Sequence, residues 1–389
     1  MHEESQGAAQ DLPLAGLVIV DLSQFLSGPY CSLRLSDLGA RVIKVERPGQ
    51  GDLARRLYLS DTEISGDSTI FHAINRGKQS LALDLKDPGD LAALRSLLTR
   101  ADVVIQNFRP GVAARIGLDW PAVRAINPRI VYGSISGYGT DGPWVSLPGQ
   151  DLLAQARSGL MWLTGDADQG PVPMGLAVAD MMAGVALSQG ILAALVGRGV
   201  SGRGRLVETS LLEALIDLQF EVLTTYLNDG RRLPRRAARS SAHAYLSAPY
   251  GVYACKDGHL ALAMTPLPAL SALLGMEDLT RGEGDAGFRR RDEIKAAIAA
   301  HLAGESVGHW LSILQPADIW CAEVMDWPAL LASEGFARLD MLQLVSRDDG
   351  TRIETTRTPL TFDARRPACA DAAPKVGAHS AQIRQEFGL

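Results

Sequence analysis

The sequence predicts an α/β protein built on an open, largely parallel sheet, because apolar runs of strand length alternate with segments of helical pattern. Two such runs, 17–22 and 41–45, enclose a helical stretch at about 30–38 that stops at Gly39. This βαβ unit implies parallel pairing and a right-handed crossover. The predicted strands are 17–22, 41–45, 81–85, 103–105 and 130–132. Strands separated by helices indicate a sheet covered by helices on both faces.

The later part of the chain is predicted to be mostly helical. A long loop at 137–149 is rich in glycine and proline, 197–204 reads as an Arg/Gly loop, and 229–239 reads as a solvated arginine-rich connector. Residues 250–264 have the pattern of a β-hairpin that turns at 256–258. Helices are expected at 90–100, 151–163, 180–196, 206–227 and 378–387, with more between 267 and 335.

The composition is that of a globular protein and excludes several function classes. The 389 residues are 47% hydrophobic, and 38 basic against 44 acidic residues give a net charge of −6, which argues against a nucleic-acid binder. Four scattered cysteines without a CxxC pair predict no metal site and no disulfide framework, and they fit a cytoplasmic location. The polar N-terminal residues predict neither a signal peptide nor an anchor. Three polar or small residues interrupt the most apolar stretch, 175–196, which therefore predicts a buried helix rather than a membrane span.

A glycine motif at 137–142 (GYGTDG) matches the GxGxxG pattern of dinucleotide-binding proteins. In that fingerprint the third glycine leads into a helix whose N-terminus holds the pyrophosphate. Here Pro143, Pro148 and Gly149 follow, so no helix can begin in time. We interpret the segment as an ordinary glycine-rich loop and predict no NAD site.

Several arginines follow predicted strands, where open α/β sheets bind their ligands. Arg47 comes after the second strand, and Asn107, Phe108, Arg109 and Arg115 come after the fourth. One interpretation is a cluster of guanidinium and amide groups that grips phosphates, with Phe108 stacked on a base. The alternative is solvated arginines in surface loops, and spacing alone leaves both open.

Asp180 is an acid flanked by apolar residues on both sides, in the segment 176–184 (LAVADMMAG). A buried carboxylate is costly unless it is paired or hydrogen-bonded. Asp180 is therefore either the N-cap of the helix that begins there or a catalytic group, and the two roles can coexist. A helix N-terminus would keep the acid ionised, as a carboxylate nucleophile requires. Nothing else in the sequence has the pattern of a nucleophile triad or of a metal site.

Taken together in their order, these stretches resemble the family III CoA-transferases, the CaiB/BaiF superfamily. The segments that carry the resemblance are 16–22 (GLVIVDL), 28–29 (GP), 38–46 (LGARVIKVE), 75–78 (NRGK), 81–86 (LALDLK), 101–111 (ADVVIQNFRPG), 127–129 (NPR), 136–139 (SGYG), 202–204 (GRG), 207–212 (VETSLL) and 377–379 (GAH). The resemblance extends over residues 13 to 388. No single segment is specific to this family, but the order in which the segments follow one another is.

The resemblance implies a Rossmann-like large domain and a smaller α+β domain. The expected arrangement is a disordered tail at 1–12, the large domain at 13–228, a connector at 229–249, the small domain at 250–335 and a return segment at 336–389. The resemblance also implies a homodimer whose two chains pass through each other like linked rings.

The resemblance implies that Asp180 is the nucleophile, since it matches the aspartate of the family's VADxxxG-type stretch. It implies acyl-CoA and a small carboxylic acid as substrates, with no tightly bound cofactor. The residues expected to contact coenzyme A are Arg47, Leu83, Asp84, Lys86, Asn107, Phe108, Arg109, Arg115, Tyr138 and Asp151.

Two other functions remain open. The α-methylacyl-CoA racemases share this fold and use a histidine about thirty residues before the aspartate. Gln150 stands there in this chain, and glutamine cannot exchange a proton near neutrality. The second alternative is an inactive CoA-binding subunit of a hetero-oligomer, against which the presence of Asp180 argues.

Overall fold

The computed structural model describes residues 12–281 and 286–389, so the tail expected at 1–12 lies outside the described residues except for Leu12. The chain divides into two compact units. The first contains the residues up to Ala154, Ala177–Leu218 and Leu339–Leu389, and the second contains Gln155–Leu176 and Gln219–Arg338.

The strands, in chain order, are β1 (Val18–Asp21), β2 (Arg41–Glu46), β3 (Glu63–Ile64), β4 (Asp67–Ser68), β5 (Gln79–Ala82), β6 (Val103–Gln106), β7 (Val131–Ser136), β8 (Leu206–Ser210), β9 (Gly251–Ala254), β10 (His259–Leu262), β11 (Cys321–Glu323), β12 (Leu342–Ser346) and β13 (Arg352–Thr356). The helices are α1 (Ser27–Asp37), α2 (Thr69–Asn75), α3 (Pro88–Leu98), α4 (Val112–Arg115), α5 (Trp120–Ile126), α6 (Asp151–Ser158), α7 (Val178–Ser201), α8 (Leu211–Leu218), α9 (Phe220–Asn228), α10 (Leu267–Leu274), α11 (Ala286–Arg289), α12 (Arg291–Leu302), α13 (Val307–Leu314), α14 (Trp327–Ala332), α15 (Glu334–Leu339) and α16 (Ser380–Phe387).

A six-stranded parallel sheet forms the centre of the first unit, which confirms the predicted α/β fold with its parallel sheet. The strand order is β5-β2-β1-β6-β7-β8, and every neighbouring pair is parallel. The chain moves outward in one direction from β1 to β2 and β5, and in the other from β6 to β8. The strand order therefore reverses beside β1, which is where open α/β sheets leave a crevice for ligands.

Two predictions near residue 200, one of a helix and one of a loop, are wrong in part. Leu206–Ser210 is the edge strand β8 and not the start of a helix, and the β-branched Val207 and Thr209 are less exposed than Leu206 and Glu208. This alternation with a period of two is a strand pattern that five residues show only weakly. Helix α7 also continues through the predicted loop 197–204 as far as Ser201, and it stops at Gly202, whose φ of 68° is left-handed.

Helix α7 forms much of the first unit's core together with α1. Its buried side includes Ala183, Leu187 and Ile191, while Val196 and Val200 near its end are 76% and 92% exposed. By length and composition, Val178–Ser201 is the one helix of the described residues apolar enough to cross a membrane, and 44% of its most apolar window is buried inside the protein.

The second unit contains a three-stranded antiparallel sheet of order β11-β10-β9. The pairing of β9 with β10 is the hairpin predicted for 250–264. Tyr253, Leu260 and Ile298 lie in the apolar core that this sheet shares with helices α10, α12 and α13. Residues 155–176 and 219–249 belong to this unit because side chains tie them together: Gln219 donates to the carbonyl of Ser158, and Arg236 donates to the carbonyl of Gly170 at 3.1 Å.

Candidate active site

Asp180 lies in the first turn of α7, three residues after the N-cap position, which Ala177 occupies without a side-chain hydrogen bond. The interpretation of Asp180 as the N-cap is therefore wrong. Asp151 supplies the missing acceptor instead. Its Oδ2 atom accepts hydrogen bonds from the backbone N–H of Ala179 at 2.7 Å and of Asp180 at 3.2 Å. The carboxylate of Asp180 is thus released from capping and available for other contacts.

Helix α1, which begins at Ser27, packs against α7 beside Asp180. The polar groups of Ser27 favour the ionised form of Asp180 and so act to lower its pKa. Gly184, one turn along α7, makes this approach possible, because a Cβ atom there would lie 2.7 Å from the carbonyl oxygen of Ser27 and 3.0 Å from the ring of Tyr30. The spacing of Asp180 and Gly184 therefore places a carboxylate where two helix N-termini meet.

The environment of Asp180 has opposing effects on its acidity. Burial, and then the negative charge of Asp151, raise the pKa of Asp180 from 3.8 to about 6, while the polar groups of Ser27 oppose the rise. The positive ends of the α1 and α7 dipoles also favour the anion. With a pKa of about 6, the group is mostly ionised at neutral pH but is a stronger base than an ordinary carboxylate.

The loop 23–26, which leads from β1 into α1, is fixed by side chains from two other strand ends. Asn107 accepts from the backbone N–H of Gln24 at 2.9 Å and donates to the carbonyl of Gln24 at 2.7 Å. Asp52 accepts from the N–H of Phe25 at 3.1 Å. Phe25 adopts a left-handed backbone with φ of 64°, which is costly for an aromatic residue and persists only where the surroundings impose it.

Two buried ion pairs lie directly behind this loop. Lys44 contacts Asp52 at 2.7 Å and donates to the carbonyl of Ser23 at 2.8 Å, and Lys78 contacts Asp21 at 3.3 Å. The side chains of both lysines and of Asp21 have no exposed surface. Sequence reasoning missed these pairs, although a charge inside an apolar strand, as at Asp21 and Lys44, is a usable signal for one.

Comparison with known proteins shows that this chain has relatives of the same architecture. The sequence profile described as CoA-transferase family III matches residues 14–380. Over 96% of both chains, this chain is 31% identical to the acetyl-CoA:oxalate CoA-transferase of Acetobacter aceti. It is 33% identical, again over 96% of both, to the succinate–glutarate CoA-transferase of Agrobacterium fabrum. The crystal structure of a CaiB/BaiF family protein from Brucella suis superposes with a TM-score of 0.83 at 31% identity, covering 97% of this chain and 100% of that one.

The chain belongs to the family III CoA-transferases. The resemblance inferred from the ordered segments is thereby confirmed, and the protein is an enzyme of this class. Its substrates accordingly include CoA thioesters.

Most of the residues expected to bind CoA in this transferase follow the carboxyl ends of sheet strands. Arg47 follows β2, Lys86 lies shortly after β5, and Arg109 and Arg115 follow β6; all four side chains are exposed. Because parallel strands end at the same edge of a sheet, these cations share one edge of the first unit. The interpretation of these residues as a phosphate-binding cluster stays a prediction.

Three of the residues expected to contact CoA have structural roles, and their contact with CoA stays a prediction. The Leu83 side chain is 1% exposed and belongs to the apolar core, and its backbone N–H donates to the carbonyl of Glu46. The Asn107 amide is engaged at both ends by Gln24, so its observed part is to hold the loop. Asp151 caps α7 beside Asp180.

The other expected contacts have partners of their own. Asp84 accepts from the N–H of Lys86 at 3.1 Å, and its own N–H donates to Asp90. The ring of Phe108 packs half-buried against the core. Tyr138 is buried and donates to the carbonyl of Pro148 at 3.1 Å.

The glycine motif at 137–142 closes a loop. A Cβ atom on Gly137 would lie 2.6 Å from the Cα of Gly149, so the two backbones meet where only glycine fits. The next helix, α6, begins at Asp151, beyond the loop. This agrees with an ordinary glycine-rich loop. Among residues 12–281 and 286–389, no group of three or more acidic, histidine or cysteine side chains has the geometry of a metal site.

Proposed function

We propose that this enzyme transfers coenzyme A from an acyl-CoA donor to a small carboxylic acid and that Asp180 carries coenzyme A between them as an aspartyl thioester. The observation behind this proposal is the Asp180 carboxylate itself. It is freed from capping by Asp151, it lies where the start of α7 meets α1, and its pKa is raised, yet it is ionised at neutral pH. Carboxylates of this kind serve as nucleophiles in covalent catalysis.

The proposed reaction begins when an oxygen of ionised Asp180 attacks the thioester carbonyl of the donor. The C–S bond breaks, CoA leaves as a thiolate, and a mixed anhydride forms. The thiolate attacks the side-chain carbonyl of Asp180, which releases the donor acid as a carboxylate and leaves an aspartyl-CoA thioester. The acceptor carboxylate displaces CoA to form a second anhydride. The thiolate then attacks the acceptor's acyl carbonyl, which yields the new acyl-CoA and regenerates ionised Asp180.

This sequence conserves the energy of the thioester, because no step uses water. CoA must therefore stay beside Asp180 after it leaves as a thiolate. Holding the thiolate in place makes its return intramolecular, an advantage of about 7–11 kcal/mol in well-oriented systems. The exposed cations Arg47, Lys86, Arg109 and Arg115 after the sheet strands are our proposed anchors for the CoA phosphates.

Each acyl transfer passes through a tetrahedral oxyanion that requires hydrogen-bond donors. The backbone N–H of Ser27 favours the ionised form of Asp180 and so acts to lower its pKa. It belongs to the segment that contains Gly28, where a Cβ atom would lie 2.2 Å from the Cβ of Ser23. We therefore propose the start of α1 as the loop that stabilises the oxyanion on Asp180.

We also propose that the enzyme is a homodimer, with the two chains interlocked. Large apolar side chains are exposed on both units, among them Val196 and Val200 on the first and Leu233 and Trp327 on the second, each at least 76% exposed. A second copy of the chain would bury such side chains. Sedimentation of the purified protein at several concentrations tests this, and a monomer at all of them would contradict it.

The racemase alternative predicts a different outcome at the α-carbon. Gln150 occupies the position where a proton-transfer histidine is needed. Incubation of a branched acyl-CoA with the enzyme in heavy water should therefore give no deuterium at the α-carbon. Deuterium incorporation without transfer would support a racemase instead.

A direct assay tests the transferase proposal. The purified enzyme alone is mixed with acetyl-CoA or succinyl-CoA and with oxalate, succinate or glutarate, which are the acids named for its relatives. We expect at least one acceptor to appear as its CoA thioester while the donor acid is released in equal amount. Hydrolysis without transfer for every pair would contradict the proposal, and activity only with an added paralogue would support the subunit alternative.

A further inference from the structure

We propose that the second unit contains a binding site for a carboxylic acid with an apolar body, in which Arg236 receives the carboxylate. The site is a cavity of about 560 Å³ that is lined only by residues of this unit, and its volume is typical of small-molecule sites. The proposal goes beyond CoA transfer, because it depends on neither Asp180 nor a thioester.

Most of the cavity wall is apolar. Helix α9, the chain after α6 and the connector after α9 each contribute to it. The rings and aliphatic side chains that line it include those of Trp162, Leu163, Val222, Leu223, Tyr226 and Tyr245. Trp162 is 59% exposed, so the cavity opens to solvent beside this ring. Such a wall favours the apolar body of a ligand, since binding removes that body from water.

Arg236 is a buried cation in the wall of this cavity. Its residue is 7% exposed, and its guanidinium donates hydrogen bonds to the carbonyls of Thr164, Gln169 and Gly170. These bonds use Nη1 and Nη2 and leave Nε without a hydrogen-bond partner among the described residues. The carbonyls fix the orientation of the guanidinium but supply no negative charge, and a buried charge without a counter-ion is costly.

The lack of an acidic partner distinguishes Arg236 from two other arginines of the connector. Arg235 contacts Asp292 at 3.5 Å, and Arg239 contacts Asp168 at 2.7 Å. Arg236 forms no ion pair with any described residue, and none of the described residues that line the cavity is acidic. Its charge is therefore available to an anion, and arginine binds carboxylates through charge-assisted hydrogen bonds.

Tyr245 supplies a second polar group without a partner. Its hydroxyl is buried and makes no hydrogen bond within the described part of the chain. A buried donor without a partner is unfavourable, and an acceptor that reached it would remove this cost. A carboxylate has two oxygens that accept hydrogen bonds. The cavity thus combines an apolar wall with two donors that lack an acceptor, which fits a carboxylic acid with an apolar body.

The first test measures the binding of phenylacetate and hexanoate to the purified full-length enzyme by titration calorimetry. Phenylacetamide and hexanamide are the uncharged counterparts with the same apolar bodies. We expect the acids to bind at least tenfold more tightly than the amides, because the amides cannot form a charge-assisted hydrogen bond with the guanidinium. Equal binding of acids and amides, or no binding of either, would overturn the proposal.

A pair of variants locates the binding at Arg236. Arg236→Gln removes the positive charge, and we expect it to bind phenylacetate 10- to 100-fold more weakly than the parent. Arg232→Gln makes the same change at an exposed position of the connector that does not line the cavity, and it should bind like the parent. Parental affinity in a folded Arg236→Gln would overturn the proposal.

A second pair keeps the test decisive if Arg236→Gln does not fold. Val222→Trp fills part of the cavity from α9 and should weaken the binding of phenylacetate at least tenfold. Thr224→Trp, at an exposed position of the same helix outside the cavity, is the matched control and should bind like the parent. Parental affinity in a folded Val222→Trp would likewise overturn the proposal.

Addition of a donor acyl-CoA separates two sources of the bound acid. If phenylacetate becomes its CoA thioester and the cavity variants lose this reaction, the cavity holds an acceptor acid. If phenylacetate binds without conversion, the cavity holds an acid that is not a substrate, and the binding site stands in both cases. Failure of the transferase proposal is distinguishable, because the calorimetry requires neither a donor nor turnover.

Discussion

Asp21 and Asp180 are two carboxylates of the same unit, and their pKa values are shifted from the ordinary value in opposite directions. Asp21 is completely buried, and burial alone would raise its pKa, yet Lys44 and Lys78 with two serine hydroxyls lower it to about 2. Asp180 is less buried, yet burial and then the like charge of Asp151 raise its pKa to about 6. The presence of cationic partners, and not the degree of burial, therefore decides whether each pKa lies below or above its ordinary value.

The largest expected difference between the two acids is in turnover. Asp180→Asn removes the nucleophile, so we expect kcat for CoA transfer to fall by about 10⁴-fold or more while CoA still binds. Steady-state assays and calorimetric titration with CoA measure the two properties. Asp217→Asn, at an exposed position on α8, is the matched control and should keep parental turnover. If the activity of Asp180→Asn lay within tenfold of the parent, Asp180 would not be the nucleophile.

The second difference is in stability. Asp21→Asn leaves Lys78 buried without its counter-charge, and breaking a buried pair in this way costs about 3–5 kcal/mol. Because the folded pKa of Asp21 lies below its unfolded value, its contribution is present above about pH 4 and is lost as the pH falls toward 2. Urea unfolding at pH 7 measures the loss. A variant as stable as the parent would show that the pair is not structural.

Asp180→Asn should change stability in the opposite direction. The folded pKa of Asp180 lies above the unfolded 3.8, so ionisation costs stability above that pH, by about 3 kcal/mol near pH 7. We therefore expect Asp180→Asn to be more stable than the parent at pH 7, with the gain shrinking as the pH falls from 6 to 4. Urea unfolding at pH 4 and pH 7 provides the comparison, and destabilisation at pH 7 would contradict this view of the site.

The smallest predicted effect is a shift of the pH-rate profile when the charge of Asp151 is removed. Asp151→Asn removes the charge but keeps an oxygen that can accept from the N-terminal amides of α7. The pKa of Asp180 should fall, so the acidic limb of kcat/KM should move by a fraction of a pH unit to lower pH. A pH-rate profile measures it. A shift to higher pH would mean that Asp151 does not act through its charge.

The sheet could be predicted from the sequence because its strands are short apolar runs between helices, as at β1, β2 and β6. The edge strand β8 could not, because its alternation, in which Val207 and Thr209 are less exposed than Leu206 and Glu208, extends over only five positions. At the site, the apolar residues that flank Asp180 in the sequence indicated it as a candidate catalytic group. The cap from Asp151 is 28 residues away along the chain, so no local pattern shows it. The approach of α1 to α7 at Gly184 depends in the same way on the tertiary fold, and on no sequence motif.

The covalent role of Asp180 is tested most directly by trapping its acyl adduct. The parent enzyme is incubated with a donor acyl-CoA and no acceptor, treated with borohydride and digested for mass spectrometry. Reduction of an aspartyl thioester or anhydride would convert Asp180 to homoserine, and we expect that conversion at Asp180 and not at Asp21 or Asp151. An unmodified Asp180 in an enzyme that transfers CoA at full rate would contradict the account.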